Sequence, residues 1–295
     1  MNISFEYYRI FYYVAKYENI TKAAMVLKSS QPNVTRIIHL LEDQLDCRLF
    51  LREPRGLKLT EEGKRLYDHV AIACQHLLDA EAELCWNKNI CSGTIELGVT
   101  ETALHLFLLK HLHGFQQKYS DIKIRIQNNT TPGILKALIN GRLDLAIVTT
   151  PFELNDTFAC EDLMTFREVP AGGSEYRALA GHPMSLKEFR FHSIIGLGYG
   201  TASYEYYRKV FMEQKLDYEP AMEVATADLV IPLLQNNLGV GFIPEPLAAP
   251  FFEDQSLVPL SLNVPLPSRD VKMLWDKSLS QSRAAATFCD YLRSL

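Results

Sequence analysis

The sequence predicts an α/β protein: an all-α N-terminal unit, one long connecting helix, and a larger body in which strands alternate with helices. Three observations support this. Apolar residues recur at steps of three and four through the first 45 residues. From Glu61 to Asn87 there is no proline and, after Gly63, no glycine. From Thr94 onward, short β-branched runs alternate with amphipathic helical segments. At 295 residues the chain suits two or three units rather than one core.

At the N-terminus, Ser4 can cap a first helix whose apolar positions are Phe5, Tyr8, Phe11, Tyr12 and Ala15. Asn19 ends that segment, and Thr21 is the expected cap of a second helix, TKAAMVL. The small pair Ala23-Ala24 lets two helices cross closely. Lys28-Ser29 forms the turn, and Ser30 caps a third helix with Pro32 in its first turn, where a missing N–H costs nothing.

The third helix sorts by angle. Val34, Ile37, Ile38, Leu41 and Leu45 form one apolar face. Opposite lie Pro32, Arg36 and His39, flanked by Asn33 and Thr35, with Gln31 at the tip. A polar outer face is ordinarily just solvated. Here its Gln, Asn, Thr and Arg side chains are of the kinds that reach base edges and phosphates. Glu42 and Asp43 are expected to point away from a bound duplex. The segment LFLREPRGLKLT then reads as a basic hairpin turning at Pro54-Arg55-Gly56, with Arg48, Arg52, Arg55 and Lys58 available to phosphate or the minor groove. A helix-turn-helix followed by such a hairpin is a winged helix-turn-helix.

The string from Thr21 to Gly63 closely resembles the DNA-binding domain of LysR-type transcriptional regulators. The likeness rests on the Ala-Ala pair, SQPNVTRII, LEDQL, RLFLR and LTEEG, in order and at family spacing. It implies that Thr21, Gln31, Pro32, Thr35, Arg36, Arg52 and Arg55 sit at positions the family uses on DNA. One departure is Asp46, where the family usually has glycine at the end of the recognition helix; aspartate is less at ease in the left-handed cap.

Thr60 can cap the connecting helix, with Glu61 and Glu62 at its positive end. Leu66, Val70, Ala73, Leu77, Ala80 and Leu84 recur at heptad steps. This is either a face packed on its own domain or a seam between two chains. The seam is favoured: the resemblance implies a dimer made by this helix, and one reading helix covers too few base pairs to select a site. The expected domains are 1–60 (DNA binding), 61–92 (linker helix and hinge) and 93–295 (effector binding).

The body reads as TIELGVT, IKIRIQN and LDLAIVT strands with helices between, then LMTFREVPA and HSIIGLG strands, the helix SYEYYRKVFMEQ, the buried strand at VGFIP, the strand RDVKMLWDK and a closing helix. A parallel sheet is expected from this alternation. The resemblance implies two lobes of periplasmic-binding-protein type, lobe I being 93–163 plus 267–295 and lobe II 164–266. A ligand should sit between lobes at the carboxyl ends of strands. Thr100, Thr102, Thr130 and Thr149 fall at such ends in lobe I, and Thr201 and Ser203 open a helix of lobe II. A lone threonine is ordinarily an N-cap; their convergence suggests a site. The expected effector is small and anionic, held by hydroxyls and backbone N–H groups. No arginine is expected at these strand ends, so a neutral effector stays open.

Charge fits this division. Net charge is −5, yet residues 1–65 hold 11 Lys/Arg against 8 Asp/Glu (net +3), and the remainder 19 against 27 (net −8). The six cysteines are scattered without a CxxC pair, which suits a reduced cytoplasmic protein. Glu6 interrupts any signal-peptide core, and no apolar run nears the ~18 residues of a membrane helix. No GxSxG, HExxH or P-loop is present, and the eight histidines form no ligand spacing, so neither enzyme, metal site nor cofactor is expected. A redox sensor would need neighbouring thiols in the body, where Cys160 and Cys289 stand far apart in sequence. The expected partners are double-stranded DNA with two-fold symmetry, the effector and further copies of the chain as a dimer or tetramer; RNA polymerase is a further candidate, and no membrane is expected.

Overall fold

The structure is a computed structural model that describes residues 3–53, 56–85, 93–279 and 281–295. The chain divides into two compact units, Met1–Lys88 and Asn89–Leu295.

In the first unit α1 spans Phe5–Tyr17, with the Ser4 hydroxyl accepting from the Glu6 N–H at 3.4 Å. The helix stops at Glu18, which turns left-handed at φ 48°. Helix α2 is Ile20–Val26, capped by Asn19, whose Oδ1 accepts from the Lys22 N–H at 3.0 Å. Thr21 is therefore not the cap expected from sequence. Asn19 takes that role because it holds the extended conformation just before the helix, whereas Thr21 already lies in its first turn. Helix α3, Gln31–Leu45, starts on the Ser30 cap and ends at Asp46, which does adopt the left-handed conformation, φ 51°. Strands β1 (Phe50–Glu53) and β2 (Gly56–Leu59) pair antiparallel with Phe50 opposite Leu59. Helix α4 runs Glu61–Cys85.

Phe11, Val14, Ala23, Val34 and Leu41 are fully buried where α1, α2 and α3 cross. Each large apolar side chain in such a core contributes about 1.5–3 kcal/mol. The Phe11 and Phe50 rings, 5.4 Å apart, extend this core into the hairpin. Gly63 sits hard against the Leu49 carbonyl, where an added Cβ would lie 2.2 Å from the oxygen, so any side chain there would push α4 off the hairpin.

Helix α4 corrects part of the sequence expectation. Val70 is buried, and Leu66 packs beside it, in the core of their own unit; Tyr67 stacks on Tyr12 with centroids 6.0 Å apart. The first half of the heptad stripe is thus consumed by intrachain packing against α1, because Tyr12 and its neighbours offer an apolar surface there. Ala73 is exposed and Leu77 is 49% exposed, so the next turns do present an unpartnered stripe. The side chains of Ala80 and Leu84 lie outside the described residues.

Glu42 holds α3 to the hairpin. Its side chain is 5% exposed, yet it accepts from the Leu49 N–H (2.8 Å), the Phe50 N–H (3.3 Å) and Arg48 Nη1 (2.8 Å), with His39 Nδ1 at 3.4 Å. Burial alone would raise the Glu42 pKa, but the bonds from Leu49, Arg48, Phe50 and His39 outweigh it and hold the carboxyl below the usual range.

In the second unit β3 (Gly93–Val99) leads through α5 (Glu101–Ala103) and a π-helical turn at Leu104–Leu108 into α6 (Leu109–Lys118). Strand β4 (Ile122–Asn128), α7 (Thr131–Ile139), β5 (Leu145–Thr149) and β6 (Phe158–Phe166) follow. The chain then enters a second sheet with β7 (Glu168–Gly172), α8 (Leu186–Phe189), β8 (Ile194–Leu197) and α9 (Ala202–Glu213). That sheet is completed by β9 (Met222–Val224), α10 (Val230–Gln235), β10 (Val240–Pro244), α11 (Glu245–Glu253) and β11 (Val258–Pro259). Strand β12 (Arg269–Asp276) and α12 (Arg283–Arg293) return to the first.

The first sheet has the order β4-β3-β5-β12-β6 and the second β11-β7-β10-β8-β9. Each is mixed, not parallel as expected. Strand β12 runs antiparallel to β5 and β6, and β7 antiparallel to β10 and β11. The reason is topological: β7 comes into the second sheet from the first and β12 returns to the first from the second, and each runs against the strands it pairs with. The first crossing falls at Arg167, not after residue 163, because β6 pairs with β12 from Phe158 to Phe166, with one irregularity at Leu163. Fully buried Ile95, Leu97, Phe115 and Phe288 lie on one face of the first sheet, and Leu138, Ala146 and Leu274 on the other.

Glu42→Ala should leave the buried Leu49 N–H without an acceptor and destabilise the chain by about 1–3 kcal/mol in urea unfolding near neutral pH. The folded-state value lies below the unfolded one. The carboxylate's contribution is therefore complete above about 4.5, the ordinary value, and is lost as pH falls through the depressed value. The gap between wild type and variant should narrow in that acidic range.

A candidate nucleic-acid interface and a candidate ligand cleft

On α3, Gln31, Pro32, Arg36 and His39 are exposed and Asn33 and Thr35 half-buried, all on the side opposite the core. Gln31, Pro32, Thr35, Arg36 and His39 line one shallow groove. The Gln31 amide donates to the Thr21 hydroxyl at 2.6 Å, tying the starts of α2 and α3 together. Arg36 Nη2 donates to Asn33 Oδ1 at 3.2 Å, and the Asn33 amide in turn donates to the Ser29 hydroxyl at 3.0 Å. Asn33 thereby orients the guanidinium instead of standing free. Glu42 is withdrawn into the core, as expected, but Asp43 lies exposed on the same groove as Arg36, against expectation, because it stands one turn beyond His39 on that face. Arg52 lies in β1, but its side chain is outside the described residues, as is Arg55 altogether.

In the second unit the six hydroxyl residues singled out from sequence, Thr100, Thr102, Thr130, Thr149, Thr201 and Ser203, all line one cavity of about 270 Å³ between the two sheets. Their local roles differ. Thr130 caps α7, accepting from the Gly133 N–H at 3.4 Å. Thr201 caps α9, accepting from the Tyr204 N–H at 3.1 Å and donating to the Gly198 carbonyl at 3.0 Å, after Gly200 turns the chain at φ 83°. Thr100 stands at a cap position but makes no capping bond; its hydroxyl is buried with no partner among the described residues. Glu101, Asn128 and Asn129 also line the cavity and were not legible in sequence, because their approach depends on the β3–β4 register, which sets Val99 beside Asn128.

The expectation that no arginine stands at these strand ends is overturned. Arg269, 1% exposed, opens β12 directly beneath the cavity. Its guanidinium pairs with Glu168 at 2.5 Å and donates to Ser203 Oγ (3.1 Å), Thr149 Oγ1 (3.2 Å) and the Thr150 carbonyl (2.7 Å). The Phe166 and Tyr206 rings sit 5.4 and 5.0 Å from it. Arg269 thus touches both lobes where the chain crosses between them. Its only sequence signal was an arginine heading an otherwise apolar strand. Burial raises the Tyr206 hydroxyl, with Glu168 adding to the rise and Arg269 opposing it, so it stays a neutral donor to the Pro267 carbonyl at 2.5 Å.

Among the described residues no group of three or more His, Cys, Asp or Glu is placed to hold a metal ion, and no helix is long and apolar enough to cross a membrane. Burial raises the Cys47, Cys74 and Cys160 thiols and takes Cys289 to about 11, which keeps them poor nucleophiles. His105 is paired with Glu101 at 2.6 Å.

A helix-turn-helix unit joined to a two-lobed α/β body defines a DNA-binding regulator with a substrate-binding domain. Residues 5–64 match the bacterial regulatory helix-turn-helix protein, lysR family, and residues 91–295 match the LysR substrate binding domain. The chain belongs to the LysR family of transcriptional regulators. It is 25% identical over 289 residues to the HTH-type transcriptional regulator YofA of Bacillus velezensis, covering 97% of this chain and 96% of the relative. Its fold is that of a full-length OxyR variant from Pseudomonas aeruginosa (TM-score 0.70, 18% identity, 99% of this chain and 98% of that one). It is equally that of CbnR, a LysR family transcriptional regulator (TM-score 0.69, 16% identity, 99% of each). Members of this family are regulators, not enzymes.

Arg269→Met should strand Glu168 as an uncompensated buried charge and cost about 3–5 kcal/mol in thermal or chemical unfolding. Adding Glu168→Leu should recover most of that loss, since both charges then leave together.

Proposed function

We propose that this regulator reads a two-fold symmetric DNA site through α3 and the hairpin, dimerises through α4, and is controlled by a small effector held between the lobes of its second unit. The observation that carries this reading is the meeting of six hydroxyl residues, from strand ends and helix starts of both lobes, on one cavity. Thr21, Gln31, Pro32, Asn33, Thr35, Arg36 and His39, with Arg52 and Arg55 of the hairpin, form the proposed DNA-contacting set. Arg36, exposed and braced by Asn33, is the proposed base reader. The exposed positions Ala73 and Leu77, continued in sequence by Ala80 and Leu84, supply the proposed seam; Leu66 and Val70 support it from within their own unit. The cytoplasm is the proposed compartment, and RNA polymerase a proposed partner at the promoter.

Arg36→Ala should weaken binding to a selected operator by about 1–3 kcal/mol and leave random DNA nearly unaffected. Arg55→Ala should weaken all sequences alike and reduce the slope of log affinity against log salt by about one unit. Quantitative gel-shift titrations at several salt concentrations check both; wild-type behaviour in both variants would overturn the reader assignment. Leu77→Glu should shift the chain toward monomer in sedimentation equilibrium. An effector that alters operator affinity of the wild type should lose its effect in the Thr100→Val, Thr201→Val double variant.

A further inference from the structure

The cleft is lined by polar groups of two opposite kinds, hydroxyl and N–H donors and one carboxylate. At its floor, Arg269 donates to Thr149 Oγ1 and Ser203 Oγ. A hydroxyl oxygen that accepts from a guanidinium has its own proton left to donate. Neither proton goes to Glu168, whose second oxygen has no partner among the described residues. Each hydroxyl thus keeps its proton, besides one lone pair, for a ligand in the cavity. The Thr100 hydroxyl, buried and without a partner among the described residues, is a third such group on the cavity. The first turn of α9, a helix of 12 residues, adds the Ala202 and Ser203 N–H groups, which have no intrahelical acceptor. Such O–H and N–H groups can donate to a carboxylate.

The floor is nonetheless electrically neutral, because Arg269 is compensated by Glu168 at 2.5 Å. Among the described residues lining the cavity, the one ionisable side chain is Glu101. Its Oε2 accepts from the Asn128 amide and its Oε1 meets His105 Nε2 at 2.6 Å, so both oxygens are held in place with lone pairs to spare. A simple anion would meet this carboxylate, beside which the one basic group is the His105 imidazole on its Oε1. A ligand carrying an ammonium group would complement it.

We infer that the effector is a small zwitterion, its carboxylate on the hydroxyl and N–H donors at the Arg269 floor and its ammonium on Glu101, which makes Glu101 the specificity-determining residue of the cleft. This rests on the reading of the cavity as the effector site and goes beyond it in naming the ligand class.

The test uses the full-length protein and a matched panel: the twenty L-α-amino acids, the ω-amino acids from β-alanine to 6-aminohexanoate, and the carboxylic acid and amine counterpart of each. Binding is read by titration calorimetry and by the rise in melting temperature. At least one zwitterion should bind at least tenfold more tightly than its acid and its amine. Glu101→Gln, which keeps the size and the bond with Asn128, should lower that affinity tenfold or more and abolish the preference over the acid. Glu101→Asp should retain the preference with weaker binding, and unliganded melting of both variants reports whether they fold. The inference is overturned if no zwitterion binds, if an acid or amine binds as tightly, or if Glu101→Gln leaves the preference unchanged. An acid that binds and loses its binding in Thr100→Val, Thr201→Val would refute the zwitterion and leave the cavity as the effector site.

Discussion

The second unit depends on Arg269. The chain crosses between lobes twice, at Arg167 and in the run that ends at Ser268, and one guanidinium stands between the two crossings. From there it reaches Glu168 on β7, Ser203 on α9 and the Thr149–Thr150 end of β5. A charge this deep is tolerable only when paired and hydrogen-bonded, since isolated burial costs several kcal/mol. Arg269 and Glu168 therefore need each other in one geometry, and that geometry sets where the two sheets face. The cavity is the space left above them. Its chemistry follows from the same contact: each hydroxyl gives one lone pair to the guanidinium and keeps its proton to offer a ligand.

The first unit solves a similar problem with a carboxylate. A hairpin of two four-residue strands is too short to stand alone in water. Glu42 accepts the N–H groups of Leu49 and Phe50 as the hairpin begins, and Thr60 donates to the Arg48 carbonyl as α4 begins. Helix α3, the hairpin and the connecting helix are in this way held to one another at a single corner. His39 and Arg48, both with exposed side chains, lean on the same carboxylate. The outer basic residues thus share their anchor with the core.

Much of this was legible from spacing. The apolar face of α3, the caps at Ser4, Ser30 and Thr60 and the strand–helix alternation of the body all follow from local propensity and periodicity, and each stands in the structure, as does the left-handed corner at Asp46 that the family resemblance implied. The six hydroxyl residues were legible for the same reason: a threonine or serine where a strand turns into a helix can be located without knowing the fold. Misplaced features were those with competing local solutions. Asn19 and Thr21 both could cap α2, and the residue left in extended backbone just before the helix did. The run from Leu163 to Ala171 read as one strand, but it serves two sheets, with Arg167 between them.

By itself the sequence determined the third helix, its outward side chains, the two-unit order and the family. These depend on residues close together along the chain, where helical and strand periods leave one answer. Only the tertiary structure decided that half of the α4 stripe is used within its own unit, that Glu101 and Asn128 meet, and that an arginine 120 residues from Thr149 bonds to it. The physical reason is common to all three. A buried charge, a cross-strand register and an occupied helix face are properties of which surfaces come together, and no local pattern records the surface on the other side.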